Sequence, residues 1–205
     1  MRAWLLAGWF VIGGFGDPLW AEPDEVECGV ETRGLDVQFV PTPQAVVDKM
    51  LSMAGIKEGD VLYDLGCGDG RIVVTAAGRY GIKAVGFDLD PRRVAESLAN
   101  VKSNSVEHLV TIQQADVFAV DLTPASVVTL YLLPKLNVRL MPQLAKLKPG
   151  SRILSHDFDM KGAKPIEVQT MGVEGQGGDE EYDDIQHTIF KWIVPWEKEA
   201  AEKGR

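Results

Sequence analysis

Three aspartates in this sequence each lie at or just after the end of a short apolar run. Asp64 belongs to "VLYDL" and leads directly into "GCGDG", Asp88 ends "KAVGFD", and Asp116 follows "LVTIQQA". Glycine permits backbone conformations with positive φ and lets a ligand come close to the main chain. Carboxylates accept hydrogen bonds from ammonium, hydroxyl and amine groups. These residue types in this order predict a binding site for a small, nucleoside-like ligand.

The apolar runs that carry these carboxylates alternate with segments of helical periodicity. The predicted strands are "DVLYDL", "KAVGFDLD", "LVTIQQADV", "SVVTLYLL" and "SRILSHDF". The predicted helices are "PTPQAVVDKMLSMAGI" with Thr42 as its cap, "GRIVVTAAGRYG" ending at Gly78 or Gly81, "DPRRVAESLANVKS" capped by Asp90, and "PKLNVRLMPQLAKL" ending at Pro149–Gly150. Strands that alternate with helices at this spacing form right-handed crossovers onto a mostly parallel sheet.

The C-terminal part breaks this alternation. "PIEVQTM" and "HTIFKWIVP" have the pattern of strands, and the Gly- and acid-rich "GVEGQGGDEEYDD" between them indicates a flexible, solvated hairpin loop. The sequence therefore predicts an α/β fold, a three-layer αβα Rossmann-like sandwich. Its sheet is mostly parallel and seven-stranded, with a C-terminal antiparallel hairpin. The expected organisation is a signal-like segment 1–21, a linker 22–36, the folded domain 37–196 and a charged tail 197–205.

In an open α/β sheet, ligands bind at the carboxyl ends of the strands. Dinucleotide-binding folds place G-x-G-x-x-G there to hold a pyrophosphate, but residues 66–70 read Gly-Cys-Gly-Asp-Gly and Arg71 follows. Asp64 suits a ligand ammonium, Asp88 a ribose diol, and Asp116 an exocyclic amine. An ammonium, a ribose and an adenine without a pyrophosphate describe S-adenosylmethionine better than NAD.

Longer stretches carry a family resemblance. "DLGCGDGR", "VGFDLDP" and "QQADVF" resemble the first three motifs of class I, seven-stranded S-adenosylmethionine-dependent methyltransferases, over roughly residues 37–195. "FVPTPQAVVDKML", "VVTLYLLPKLNVRLMPQL" and "LKPGSRILSHDF" are similar to a family that includes membrane-anchored mitochondrial protein-lysine methyltransferases. The resemblance implies a protein-lysine N-methyltransferase. The alternatives are a small-molecule methyltransferase and a catalytically inactive module that binds S-adenosylmethionine.

The resemblance also implies roles for individual residues. The methionine end of the cofactor would contact Asp64, Gly66, Cys67, Gly68 and Gly70; the ribose and adenine would contact Asp88, Leu89, Asp116 and Val117; and Pro41 and Thr42 would form part of a lid. Tyr131, His156 and Asp157 are candidates for a catalytic role, each with core packing or structure as the alternative. No catalytic base is assigned, and Cys67 is expected to be a small turn residue, with no nucleophilic role.

Several classes of partner are disfavoured. The net charge of −9 argues against a nucleic-acid partner, because such affinity depends on Lys and Arg neutralising phosphates. The (Asp/Asn)-Pro-Pro-(Tyr/Phe) motif of base methylation is missing from "LYLLP". The two cysteines, Cys28 and Cys67, lack zinc-ligand spacing, so the sequence indicates no metal. The expected partner is a protein with an accessible lysine, or a small molecule.

The N-terminus indicates targeting. Arg2 precedes the apolar stretch "AWLLAGWFVIGGFG", and Ala21 stands where a signal peptidase would cut. The stretch is shorter than the roughly 20 apolar residues of a transmembrane helix. The sequence predicts a signal peptide or weak anchor, and with it membrane association or export, with a cytoplasmic location as the alternative.

Overall fold

The computed structural model describes residues 39–173 and 185–199. Its strands are β1 Val61–Leu65, β2 Lys83–Asp88, β3 Val110–Gln114, β4 Val127–Leu130, β5 Arg152–His156, β6 Ala163–Lys164, β7 Glu167–Val173, β8 Ile185–Ile193 and β9 Glu197–Lys198. The main feature is a sheet of seven strands in the order β3-β2-β1-β4-β5-β8-β7. The first five strands of the chain are parallel, whereas β8 pairs antiparallel with both β5 and β7. The predicted sheet, including its C-terminal antiparallel hairpin, is confirmed.

Helices cover both faces of this sheet. They are α1 Gln44–Ala54, α2 Arg71–Tyr80, α3 Pro91–Ser103 and α4 Pro134–Leu144. One core contains buried residues of α1, α2 and α3, and the other contains Leu140 and Leu144 of α4. Consecutive strand residues point into opposite cores: Val127 packs in the first and Val128 in the second. The three layers therefore follow from strands that are apolar on both faces.

Two predicted helix ends are confirmed and explained by local hydrogen bonds. Asp90 caps α3, its side chain accepting from Arg92 N, and Pro91 occupies the first turn. Gly81 ends α2 in a left-handed conformation, with φ 66°, and its N–H donates to Ala77 O. Both ends match the capping chemistry that the sequence carries.

Two other helix ends differ from the prediction. Thr42 is not the cap of α1, because Pro43 holds that position without a side-chain cap and the Thr42 hydroxyl bonds His156 instead. Helix α4 ends at Leu144, before the predicted stop at Pro149–Gly150. The next residues form tighter turns, in which Leu147 N donates to Leu144 O and the Leu147 side chain reaches the core.

A small second sheet was not predicted. Strand β6 pairs antiparallel with β9. Of these two strands, β9 lies in the segment 197–205 that was predicted as a charged tail. Trp192 of β8 is fully buried, and its indole N–H donates to Ala163 O of β6 at 2.8 Å. The sheet therefore fixes the chain that follows β5 to the chain that follows β8.

The signal-like segment 1–21, the linker 22–36 and the acidic part of the predicted hairpin loop lie outside the described residues. Within the two described ranges, no helix has the length and apolar character needed to cross a bilayer.

Candidate functional site

The glycine-rich turn joins β1 to α2 at the point where the strand order reverses. β1 pairs with β2 on one side and β4 on the other, so their carboxyl ends open a crevice beside this turn. Gly66 N and Cys67 N donate to Phe87 O at 2.8 and 2.9 Å, which fixes the turn to the end of β2. The predicted strand–turn–helix unit therefore lies where an α/β fold binds its ligand.

Gly68 is required by the residues packed above it. Its φ of +56° favours glycine, and an added Cβ would lie 2.1 Å from Phe39 Cε2. The Phe39 ring is held in turn by the Arg93 guanidinium, 4.6 Å from the ring centroid. Phe39 thus covers the turn, and the turn must lack a side chain to admit it.

Gly70 and Cys67 pack against Ser97 of α3. An added Cβ at Gly70 would lie 2.9 Å from Ser97 Oγ, and the same hydroxyl donates to Gly68 O at 2.7 Å. Burial raises the pKa of the Cys67 thiol well above its ordinary value, so the thiol stays neutral. This environment agrees with the expected structural role for Cys67.

Asp64 is a buried carboxylate with one oxygen in need of a partner. It is 2% exposed, and its Oδ1 accepts from Thr129 Oγ1 at 2.7 Å. Its Oδ2 has no hydrogen-bond partner among the described residues. Burial, with the charges of Asp88 and Asp69 adding to it, raises the pKa of Asp64 to about 7. A cationic donor beside Oδ2 would satisfy the oxygen and stabilise the ionised form.

Asp88 and Asp116 are fixed by backbone hydrogen bonds. Asp88 Oδ2 accepts from Gly68 N and its Oδ1 from Asp90 N, both at 2.9 Å. Asp116 follows β3 by two residues, and its Oδ1 accepts from Phe118 N at 2.9 Å. A carboxylate oxygen has two lone pairs, so each oxygen of Asp88 keeps acceptor capacity for a ligand hydroxyl.

A cavity of about 420 Å³ lies at the carboxyl ends of β1, β2, β3 and β4. Most of the residues predicted from the sequence line it: Pro41, Thr42, Asp64, Gly66, Cys67, Asp88, Leu89, Asp116, Val117 and Tyr131. Gly68 and Gly70 shape the turn without lining the cavity, and His156 and Asp157 lie behind its wall.

The cavity has residues that the sequence did not single out: Phe39, Val40, Arg93, Phe118, Leu132, Leu133, Leu136 and Phe158. The predicted lid began at Pro41. The stretch "FVPTPQAVVDKML", which carries the family resemblance, begins at Phe39 and could have extended the predicted lid to that residue. Phe158 is held by Asn137 of α4, whose Nδ2 donates to Phe158 O at 3.1 Å. That hydrogen bond joins α4 to the chain that follows β5. No local sequence pattern indicates such a contact, so the position of Phe158 could not be predicted.

Thr42 ties the lid segment to the rest of the site through two hydrogen bonds, one at its carbonyl oxygen and one at its hydroxyl. Arg71 Nη1 donates to Thr42 O at 2.8 Å, and Arg71 also pairs with Asp69 at 2.6 Å. On the other side, Thr42 Oγ1 lies 3.1 Å from His156 Nδ1. Thr42 therefore connects the helix that follows the glycine turn with the end of β5.

The far end of the cavity is aromatic and aliphatic. The Tyr131 ring lies 3.9 Å from the His156 ring and 6.0 Å from the Phe158 ring, measured between centroids. Burial raises the pKa of Tyr131, so its hydroxyl stays protonated at neutral pH. Leu133 and Leu136 complete this end. An aliphatic chain would be accommodated here better than a polar ring.

The charge of the cavity wall favours a cationic ligand. Five aspartates and two arginines line it. Both arginines are already paired with carboxylates, Arg71 with Asp69 and Arg93 with Glu96. The carboxylates of Asp64 and Asp88 also line this space, where they accept hydrogen bonds from neutral groups, and in their ionised form they create a negative potential there.

Comparison with known proteins gives the family. Residues 64–167 match the model described as the ANTKMT methyltransferase domain. A Saccharolobus islandicus protein named protein-lysine N-methyltransferase is 41% identical over 160 residues, 77% of this chain and 94% of that protein. A Mus musculus protein named adenine nucleotide translocase lysine N-methyltransferase is 30% identical over 142 residues, 68% of this chain and 61% of that protein.

A solved structure agrees with the fold over most of the chain. It is described as an RNA methyltransferase from Salinibacter ruber in complex with S-adenosyl-L-homocysteine. It is 43% identical, covers 80% of this chain and 98% of its own, and superposes with a TM-score of 0.66. The resemblance found in the sequence is thereby confirmed. The chain belongs to the family of the ANTKMT methyltransferase domain.

Proposed function

We propose that this chain is an S-adenosylmethionine-dependent protein-lysine N-methyltransferase. The observation that carries the proposal is the buried Asp64 Oδ2, which lies on the wall of the cavity and has no partner among the described residues. An α-ammonium group is the cationic donor that this oxygen lacks. The methionine end of S-adenosylmethionine presents such a group, next to a sulfonium of the same charge.

The other carboxylates suit the rest of the cofactor. Asp88, fixed by its two backbone bonds, is placed to accept from both ribose hydroxyls. Leu89 and Val117 offer apolar contacts to an adenine ring, and Asp116 lies beside them. Pro41, Thr42 and Phe39 close the lid side. When bound, S-adenosylmethionine supplies an electrophilic methyl group on its sulfonium.

The acceptor end of the cavity favours a lysine side chain. Tyr131, Leu133, Leu136 and Phe158 form an apolar wall that suits the four-carbon stem of lysine. Such surroundings disfavour a charged ammonium and so lower its pKa, which yields the neutral amine that attacks a methyl group. Positioning and exclusion of water can supply much of the rate of an in-line methyl transfer, and the proposal assigns no dedicated base.

Two relatives differ in the acceptor that their names give. The Saccharolobus protein is named for protein lysine, and the Salinibacter structure for RNA. This chain has a net charge of −9 and carries Leu-Tyr-Leu-Leu-Pro after β4, without the polar residue and paired prolines of base methyltransferases. A lysine-rich protein is attracted by such a charge, whereas a phosphate backbone is repelled. These two features support a protein acceptor.

An acceptor assay tests the proposal. Purified protein and methyl-labelled S-adenosylmethionine are added to three fractions of a lysate: protein, RNA and small molecules. A parallel protein fraction has its lysines blocked by prior chemical acetylation. The proposal predicts label in the unblocked protein fraction alone, and far less of it with Asp88→Ala at the same concentration. Label that enters RNA, or that enters acetylated protein equally well, would contradict a lysine acceptor.

A further inference from the structure

Three side chains behind the wall of the cavity converge on one point. His156 ends β5, Asp157 follows it, and His187 faces them from β8. His156 Nε2 lies 2.9 Å from His187 Nδ1, and Asp157 Oδ2 lies 3.2 Å from each of these nitrogens. Two imidazole nitrogens and one carboxylate oxygen therefore form a nearly equilateral triangle. The proposed methyl transfer uses none of these three atoms.

The triangle has the dimensions of a metal-ligand set. Zinc binds imidazole nitrogen and carboxylate oxygen at about 2.0–2.2 Å, so ligands of a tetrahedral ion lie about 3.3–3.5 Å apart. The observed separations of 2.9 and 3.2 Å reach this range with shifts of a few tenths of an ångström. Two histidines and one carboxylate are also a common ligand set for divalent transition metals.

Outer contacts orient two of the three ligands, His156 and Asp157, as a metal would require. The other ring nitrogen of His156, Nδ1, lies 3.1 Å from Thr42 Oγ1, which can accept a hydrogen bond from Nδ1–H and so favour the tautomer in which Nε2 is unprotonated. The second oxygen of Asp157, Oδ1, accepts from Thr188 N at 2.8 Å, which leaves Oδ2 directed toward the histidines. Hydrogen bonds of this kind commonly hold the ligands of metal sites.

The backbone of Asp157 is an independent indication. Its φ of 57° is left-handed, a conformation that is uncommon outside glycine, although Asp and Asn adopt it more readily than other residues. That conformation places the carboxylate against both histidines. Strain of this kind is found where a side chain is held for a binding or catalytic purpose.

Hydrogen bonds within the cluster do not bridge all three edges of the triangle at once. A carboxylate only accepts, and two ring nitrogens 2.9 Å apart have room for one proton between them. A single N–H cannot point well at both other corners of the triangle. A cation at the centre would contact all three atoms at once.

We propose that His156, Asp157 and His187 bind a divalent transition-metal ion of the zinc type. His156 is fully buried and His187 is 8% exposed, whereas the Asp157 side chain is 26% exposed, so the remaining coordination position would face solvent on the Asp157 side. The ion would join β5 to β8. It would also brace Tyr131, whose ring lies 3.9 Å from the His156 ring between centroids, and Thr42 of the lid. Its role would be structural, supporting the acceptor end of the cavity. Sequence spacing could not indicate this site, because His187 is distant from the other two ligands along the chain.

Metal titration of the full chain, without a polyhistidine tag and after removal of bound metal by a chelator, tests the proposal. Zn²⁺ binding is measured against a competing indicator dye, and Co²⁺ binding by its visible absorption. The expected result is one ion per chain and a thermal midpoint that rises with Zn²⁺.

The informative variant is Asp157→Asn. Asparagine tolerates the left-handed backbone and still accepts from Thr188 N, so this variant should fold, but its neutral amide is a poor ligand. Loss of a residue that only hydrogen-bonds to a metal ligand typically weakens metal binding roughly 10- to 100-fold. Because Asp157 is proposed as a ligand itself, the Zn²⁺ affinity of Asp157→Asn should fall by more than this. His187→Ala should have the same effect, and His108→Ala, at an exposed histidine outside the cluster, should bind like the unaltered chain. Absence of Zn²⁺ binding, or equal binding by the unaltered chain and Asp157→Asn, would overturn the site.

Discussion

Asp64 gives the cofactor site a pH dependence that can be calculated. Burial raises the pKa of its carboxyl from an ordinary value of 3.8 to about 7. A ligand ammonium pairs with the ionised form only, so apparent affinity follows the ionised fraction. With a pKa of 7, that fraction rises from about one-eleventh at pH 6 to about ten-elevenths at pH 8. Affinity should therefore increase about tenfold, or about 1.4 kcal/mol, between these pH values.

Two variants separate this effect from other titrations. The side chain of Asp64→Asn cannot ionise, so this variant should bind S-adenosylhomocysteine roughly 10- to 150-fold more weakly than the unaltered protein at pH 8. This loss corresponds to about 1.5–3 kcal/mol, the contribution of a charged hydrogen bond. The affinity of Asp64→Asn should also be nearly constant with pH. Thr129→Val removes the hydroxyl that donates to the ionised Asp64, so it should move the midpoint to higher pH.

The assay is isothermal titration calorimetry with S-adenosylhomocysteine between pH 5.5 and 8. Equal affinity of the unaltered protein at pH 6 and pH 8 would refute the ionisation argument. A slope that persists in Asp64→Asn would assign the pH dependence to another group.

The same pKa shift affects the stability of the unliganded protein. Because the folded-state pKa of Asp64 is raised above its unfolded value, the stability associated with this group is complete below about pH 4 and is lost as the pH rises through about 7. Asp64→Asn should therefore stabilise the unliganded protein at pH 8, by up to about 4 kcal/mol. Urea unfolding of both proteins at pH 5 and pH 8 measures the difference, and a variant less stable than the parent at pH 8 would contradict it.

Three further substitutions, with Gly150→Ala as a control for one of them, test the geometry of the site. Asp88→Ala should weaken S-adenosylhomocysteine binding roughly 10- to 150-fold in calorimetry, because it removes the acceptor for the ribose hydroxyls; unchanged affinity in a folded variant would exclude that role. Asp90→Ala should cost about 1 kcal/mol of unfolding free energy as a lost helix cap, with a smaller effect on affinity than Asp88→Ala. Gly68→Ala should displace Phe39 and weaken cofactor binding, whereas Gly150→Ala, which has a similar positive φ but open space around it, should cost stability alone. Equal affinity of the two glycine variants would show that Phe39 does not cover the cofactor.

Much of the fold could be predicted because its determinants are local. Buried parallel strands are continuous apolar runs, and the carboxylates at their ends mark the ligand edge of the sheet. Asp90 with Pro91, and Gly81, carry the chemistry of helix ends within one or two residues. These signals were enough to place Asp64 and Asp88 on one cavity.

The features that were missed depend on contacts between distant segments. Thr42 resembles a helix cap in sequence, but its hydroxyl bonds His156, which is far along the chain. The acceptor end needs Asn137 to hold Phe158, and the histidine cluster needs β8 beside β5. The early end of α4 follows from Leu147 packing into the core. Each requires the tertiary structure before it can be seen.

The central claim is that this chain methylates the ε-amine of a protein lysine, and the chemical identity of the product tests it most directly. Protein labelled by the purified enzyme is hydrolysed in acid, and the labelled amino acids are separated and identified by mass spectrometry. The proposed function predicts that the label is recovered as ε-N-methylated lysine, and that Asp88→Ala at the same concentration yields far less of it. Label recovered as a methylated nucleoside, as volatile methanol from an ester, or as another methylated amino acid would contradict the claim.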